Sequence, residues 1–490
     1  MTVHPFGATS SPACVNFALK AAANELEDKY GKEAADYVRD DFYADDGPKS
    51  LDGITETIDI VTKSTALCSE RGFRLHKFVS SEKEVLKSVP QSERGKNVQS
   101  LDLRHDELPM ERTLEIEWHV QSDIFQFSIS LKDKPLTRRG ILSTVSSIFD
   151  PLGLVAPVLL KGRLILQELC GQKADWDDPV PEDIRMKWEN WRSDLRKLTQ
   201  ANIPRCYKTR ELGPVVRTEL HCFSDASENG YGQLCYLKQV DDKGRVETAL
   251  VMSKSRVPPP KAMTIPRLEL TAAVTSVKVG AFLERELKMQ EIEALYHTDS
   301  MVVLGYISND SKRFHVFVAN RIQQIRDVTT PGQWRHVATE SNPADIASRG
   351  TNAEGLINSR LWWKGPEFLQ NSESSTLMMT KKPIPLADDD PEVKRSVTVN
   401  KTIVSVNPAK FASMTERFEY FSDWFRLKRA VALCLRYFKL LKNSTAVQGY
   451  TPVKVQEMQT AQNRILKITQ KESFPREILL RSRLLVLHNE

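Results

Sequence analysis

The stretch "LHCFSDASENGYGQLCYL", residues 220–237, reads as a core strand, a glycine-bearing turn and a second strand, with one carboxylate, Asp225, where the first strand ends. Asp, Ser and Asn are favoured in turns because their side chains bond nearby backbone, and that alone accounts for Asp225. A carboxylate at the end of a buried strand is also placed to bind a cation. The two readings part on whether further acids stand at comparable junctions, since divalent-metal chemistry on phosphates needs several converging carboxylates.

Three more acids do. In "MTIPRLELTAAVTSVKVGAFLEREL", residues 263–287, Thr264 and Pro266 mark a helix start and Glu269 stands in its first turn, above the small residues Ala273, Ser276 and Gly280 at helical spacing. Asp299, in "ALYHTDSMVVLGYI", sits where an apolar strand stops and a helix begins; Asp345, in "WRHVATESNPADIASRG", follows Asn342 as cap and Pro343 at the first helical position. Each is explained singly, by the helix dipole or by capping. Residues 216–352 read β, β, β, α, β, α, β, α, and within that one unit the four acids fall at a strand end, a helix start, a strand end and a helix start. Two divalent cations about 4 Å apart require about that many carboxylates.

The rest of the chain bounds the answer. Its 490 residues suit roughly three domains of about 150 residues each. Hydrophobic residues at 40% and charged residues at 27% are a globular balance. Lys plus Arg exceed Asp plus Glu by 69 − 64 = 5, so affinity for nucleic acid has to come from local patches. The seven cysteines form no CxxC pair, which argues against a zinc ribbon or a secreted disulfide framework and for a reducing compartment. No signal peptide or transmembrane segment is evident, because "FDPLGLVAPVLLKG" is broken by Asp150, two prolines and Lys161. An intracellular protein, cytoplasmic or nuclear, is expected.

Ser11 and Pro12 predict a helix over about 12–28, and "DYVRDDFYADDGPKS" predicts a hairpin with Asp45 and Asp46 at its turn, for which a plain Asp-Gly turn is the alternative. "TLEIEWHVQSDIFQFSISL" gives two alternating strands around Ser122 and Asp123. Two helical stretches follow, one interrupted at Asp150 and Pro151 and one carrying Trp188 and Trp191, which suit a packing face better than base stacking. His297 and His336 fall on predicted strands as core or sheet-face residues. Two amphipathic helices are predicted at about 411–442 and 452–471.

In order, "FSDAS", "IPRLEL", "YHTDS" and "NPADIASRG" resemble a retroelement ribonuclease H domain, and the chain as a whole resembles the BEL/Pao class of LTR retrotransposon polyproteins. "FGATSSPACVNFAL" and "FYADDG" resemble the later palm motifs of a reverse transcriptase. "LTRRGILSTVSSIFDPLGLVAPVLLKGRLILQELC", "DWDDPVP" and "IPRCY" resemble the connection region, and residues 452–480 the approach to an integrase. The resemblance implies an α/β and α+β multidomain chain: a partial reverse-transcriptase palm and thumb remnant at 1–95, a Pao-type connection at 96–215, a ribonuclease H-like mixed-sheet domain at 216–355, a linker at 356–410 and a helical pre-integrase region at 411–490.

It also implies that Asp225, Glu269, Asp299 and Asp345 hold two Mg²⁺ ions, with Mn²⁺ as substitute, and hydrolyse the RNA strand of an RNA/DNA hybrid. Ser227, Asn229 and Gly230 are the expected substrate contacts. Asp45 and Asp46 would be the metal-binding remnant of a polymerase whose third aspartate lies before Met1, so reverse transcription is not expected from this chain alone. The integrase module would follow Glu490. No Asp-Thr-Gly or Asp-Ser-Gly occurs, which excludes an aspartic protease dyad. Two rival readings stay open: a non-catalytic nucleic-acid-binding relic, and an assembly partner docking through "FEYFSDWFRLKRAVALCLRYFKLLK" onto other retroelement polyprotein products. No membrane partner is expected.

Overall fold

The computed structural model describes residues 10–42, 46–113, 116–209, 211–289, 291–372, 386–387, 389–394, 413–443 and 453–474. It falls into two compact units, one of residues 1–300 and 335–381, the other of residues 301–334 and 382–490.

The first unit begins with three helices, α1 (Ser11–Tyr30), α2 (Lys32–Asp40) and α3 (Ile54–Glu70). Leu19, Ala22, Ala23 and Leu26 recur at helical spacing on α1 and bury against Ala35, Val38 and Leu67. Gly31, at φ +89°, breaks α1 from α2. The expected hairpin is corrected here: Tyr37–Asp40 are the end of α2, because Ala34, Ala35 and Val38 are spaced for one helix face and no described strand lies alongside to pair with them. Asp46 is exposed, and Asp45 lies outside the described residues.

Two short helices, α4 (Lys83–Ser88) and α5 (Lys96–Gln99), lead to an antiparallel sheet of β1 (Met110–Thr113), β2 (Ile116–His119), β3 (Ile124–Gln126) and, from further along the chain, β4 (Ile203–Pro204). The β2–β3 turn places Asp123 at φ +55°, where Trp118 Nε1 at 2.9 Å and Arg205 Nε at 2.5 Å both donate to its carboxylate. Between β3 and β4 run α6 (Arg138–Ser146), α7 (Ala156–Gly171) and α8 (Glu182–Asp194). Two of the sequence motifs clasp each other here: Arg138 lies 4.1 Å over the Trp176 ring, and Arg139 pairs with Asp177 at 2.8 Å. The Asp150–Pro151 interruption is the α6–α7 junction, where Asp150 accepts from the Leu154 and Val155 amides at 2.8 and 3.0 Å.

The mixed sheet comprises β5 (Val215–Ala226), β6 (Tyr231–Asp241), β7 (Val246–Arg256), β8 (Ile292–Thr298) and β9 (Trp334–His336), in the order β7-β6-β5-β8-β9. Strands β5 to β7 form an antiparallel meander, and β8 joins β5 in parallel after the crossover helix α9 (Ile265–Glu286). The small-residue stripe explains how α9 lies so close to the sheet. A Cβ on Gly280 would stand 2.6 Å from the Tyr296 hydroxyl of β8. After β8 the chain forms α10 (Met301–Ser308) and α11 (Val316–Arg326), one helix more than the sequence pattern predicts, and after β9 it forms α12 (Ala344–Arg349).

The connection helices and the sheet share a core. Val158, Ile165, Trp188 and Trp191 are in one buried cluster with Phe223, Leu234, Tyr236 and Leu250 of β5 to β7. The Ser253 amide donates to Leu152 O at 2.8 Å, and Arg163 reaches Ser255 O at 2.9 Å. The start of the predicted linker is also corrected. Helices α13 (Ala353–Ile357) and α14 (Arg360–Lys364) occupy it, and the fully buried Trp362 donates to Leu154 O at 2.9 Å. "LWWKGPEF" is apolar enough to be drawn into that core.

In the second unit, α15 (Met414–Phe418), α16 (Trp424–Asn443) and α17 (Val455–Ser473) replace the two predicted helices, the first being interrupted at Glu419–Asp423. Helices α16 and α17 meet through Ala432 and Ala461, with Arg436 paired to Glu457 at 2.5 Å. Among the described residues no helix is long and apolar enough to cross a membrane.

Candidate active site

Asp225 is the last but one residue of β5, 6% exposed, and faces Gly232 of β6 across the ladder. Gly232 has no side chain for a spatial reason. A Cβ there would stand 2.5 Å from that of Ala347, so its absence lets α12 lie directly on the β5–β6 hairpin. Contact at that range lets Ser348 Oγ donate to Asp225 Oδ2 at 2.5 Å. The hairpin turn holds the helix in return: Ser227 Oγ donates to Ser348 O at 2.9 Å, and Asn229 Nδ2 reaches Arg349 O at 3.4 Å. Ser227 and Gly230 are buried in this junction, whereas Asn229 is exposed.

The other three acids reach the same end of the sheet from separate elements. Glu269 projects from the first turns of α9 and accepts from Ser300 Oγ at 2.6 Å. Asp299 follows the last residue of β8, and its Oδ1 lies 3.4 Å from Asn342 Nδ2, which also bonds Ser224 O of β5 at 3.2 Å. Asp345 is on α12 and pairs with Arg349, one turn on, at 2.5 Å. Burial raises the Asp225 pKa, and despite the Ser348 hydrogen bond the charges of Asp299 and Asp345 help carry it to about 7. Burial likewise raises that of Glu269, with Asp299 adding to the shift against the Ser300 hydrogen bond. The charge of Asp299 is thus felt at both Asp225 and Glu269, and that of Asp345 at Asp225.

The donor set is all oxygen, the chemistry that Mg²⁺ and Mn²⁺ take. Among the described residues, however, no three Asp, Glu, His or Cys side chains are gathered into a metal-holding group. Each acid is turned instead toward its own partner: Ser348, Ser300, Asn342 or Arg349. The residues fit a cation in type, with Arg349 balancing part of their charge. The sequence reading missed Ser348, Ser300 and Arg349 as partners, although Ser348 and Arg349 stand three and four residues after Asp345, the spacing that shares a helix face.

A second polar group lies on the same sheet face, nearer the start of β5. Glu219, His221 and Lys238 are fully buried; Glu219 accepts from Lys238 at 3.1 Å and meets His221 at 3.0 Å, with Arg217 at 3.1 Å. His221 Nδ1 meets His297 Nε2 at 3.0 Å, and the His297 ring stacks on Phe223 with centroids 4.5 Å apart. Burial drives both imidazoles toward the neutral form. Burial also works against the Glu219 carboxylate, but His221 and Lys238 outweigh it and bring its pKa down to about 2.

Comparison with known proteins gives one family match and a remote structural likeness. Residues 137–300 match the family described as the Pao retrotransposon-like RNaseH-like domain, a span that takes in α6 to α8 together with β5 to β8. Among solved structures, RNase H1 from the halophilic archaeon Halobacterium salinarum NRC-1 aligns at 15% identity over 27% of this chain and 94% of that one, with a TM-score of 0.20. No curated protein matches. The connection helices and most of the mixed sheet, which share one core, thus fall within the span, residues 137–300, that is similar to the Pao retrotransposon-like RNaseH-like domain.

Proposed function

We propose that the chain is a fragment of a BEL/Pao-type pol product whose mixed-sheet domain hydrolyses the RNA strand of RNA/DNA hybrids. The observation that carries this reading is the arrival of Asp225, Glu269, Asp299 and Asp345, from four separate elements, at one end of the sheet, where Asp299 acts on both Asp225 and Glu269. These four would hold two Mg²⁺ ions, or Mn²⁺, which when bound supply an activated water and stabilise the departing 3′ oxygen. Ser300 and Asn342 hold Glu269 and Asp299 by hydrogen bonds. Arg349 balances Asp345 and stands exposed beside the site, where it can meet a phosphate. Asn229, exposed at the hairpin turn, is the proposed contact to the hybrid's sugar edge; Ser227 and Gly230 act by seating α12. Reverse transcription is not part of the proposal, and the functional divisions at 95, 215 and 410 are retained as assignments of role.

The test is incubation of the full chain with a labelled RNA/DNA hybrid and Mg²⁺ beside Asp225→Asn. Cleavage by the wild type, lost in Asp225→Asn and in EDTA, is expected. Salt-sensitive binding with no cleavage by either would replace hydrolysis with the relic reading.

A further inference from the structure

The side chain of Ser348 is fully buried between α12 and the hairpin, and it is a polar group that the four-acid mechanism does not call for. Its hydroxyl has one proton and two acceptors in reach: Asp225 Oδ2 at 2.5 Å and the carbonyl of Asp345, one turn back on its own helix, at 3.1 Å. A carboxylate oxygen is a stronger acceptor than a backbone carbonyl already engaged in its helix, so the hydroxyl proton belongs to Asp225. The alternative of plain space-filling does not suit the surroundings. Ala347 against Gly232 and the Ser348 carbonyl against Gly230 bring the helix close enough for that one oxygen to arrive, and Ser227 Oγ holds the Ser348 carbonyl at 2.9 Å so that the turn cannot swing away.

We infer that Ser348 is a positioning residue: by fixing Asp225 Oδ2 it sets the plane of the carboxylate and aims Oδ1 at the cation site. The inference rests on the proposed reading of the four acids as metal-holding. Hydrogen-bond partners of ligating carboxylates orient them, and removing such a partner lowers metal affinity or activity by about 10- to 100-fold. Asp345 and Ser348, three residues apart on one helix face, would then present a ligand and a ligand-orienting group to β5 together.

The test is calorimetric titration of Mn²⁺ into the full chain without nucleic acid, for wild type, Asp225→Asn, Ser348→Ala and Ser348→Thr, with hybrid cleavage measured alongside. Expected are Mn²⁺ binding about tenfold weaker in Ser348→Ala, lower kcat with KM for the hybrid unchanged, an unaltered melting midpoint, and recovery of affinity in Ser348→Thr, which keeps the hydroxyl. Wild-type affinity in Ser348→Ala, equal loss in Ala and Thr, or a loss that only follows the melting midpoint would overturn the role of Ser348 while leaving the acids' role intact. Equal Mn²⁺ binding by wild type and Asp225→Asn would overturn the reading of the site itself.

Discussion

Strand β5 carries two buried carboxylates on one face, Glu219 near its start and Asp225 near its end, and their surroundings are opposite in sign. Glu219 is ringed by Lys238, Arg217 and His221, which hold it ionised. Asp225 has a serine hydroxyl and two further acids, which push it toward the neutral form. A buried charge ringed by opposite charge belongs to the packing, and one set among like charges is a candidate ligand site. The two ends of a single strand thus present opposite electrostatics with the backbone held constant.

The comparison breaks most visibly at Glu219. Glu219→Ala leaves Lys238 buried without its partner and is expected to lower stability by about 3–5 kcal/mol in denaturant unfolding. The sign of its pH dependence follows from a folded pKa of about 2 against about 4.3 in the unfolded chain. The stabilisation is complete above pH about 4.3 and fades as pH falls toward 2, so the gap between wild type and Glu219→Gln should close over that window. If the gap is constant, Lys238, Arg217 and the His221 hydrogen bond are not what holds Glu219.

Gly232→Ala sharpens the other end. The new Cβ would meet Ala347 at 2.5 Å, and the strain is expected to cost about 1–3 kcal/mol while lifting α12 from the hairpin. Loss of cleavage out of proportion to that modest loss of stability is the outcome that ties helix seating to the site. Asp225→Asn should act with the opposite sign from Glu219→Ala, raising stability by about 0.5–2 kcal/mol as relief of an uncompensated charge; a drop in the melting midpoint would count against the contrast. Arg349→Gln is the smallest change. Its pair with Asp345 is a helical i,i+4 contact with an Arg side chain 61% exposed, worth about 0.3–0.5 kcal/mol, so any large effect on cleavage there reports contact with substrate.

Much of this was legible in the residues. Periodicity marked β5 to β8 and α9, and the four acids stood out because each interrupts an apolar run or opens a helix. The small stripe Ala273, Ser276, Gly280 announced close helix–sheet contact, and Gly280 against Tyr296 realises it. The hairpin at 37–48 misread because the alternation around Tyr37 also fits a helix, and the competing pattern Ala34, Ala35, Val38 only matters once α1 and α3 are there to receive it. Residues 360–370 read as linker because a short apolar run between polar segments gives no period, yet Trp362 fills the core beneath α7.

The sequence by itself determined the order of β5 to β8 with α9 and singled out the four acids as candidates, since both depend on short-range spacing. Only the tertiary structure decided that Glu219 lies against Lys238 while Asp225 lies among further acids, because Lys238, Asp299 and Asp345 reach them from separate elements. It alone placed Ser348 on Asp225, a contact across 123 residues that exists because two backbones approach at Gly232 without a side chain between them.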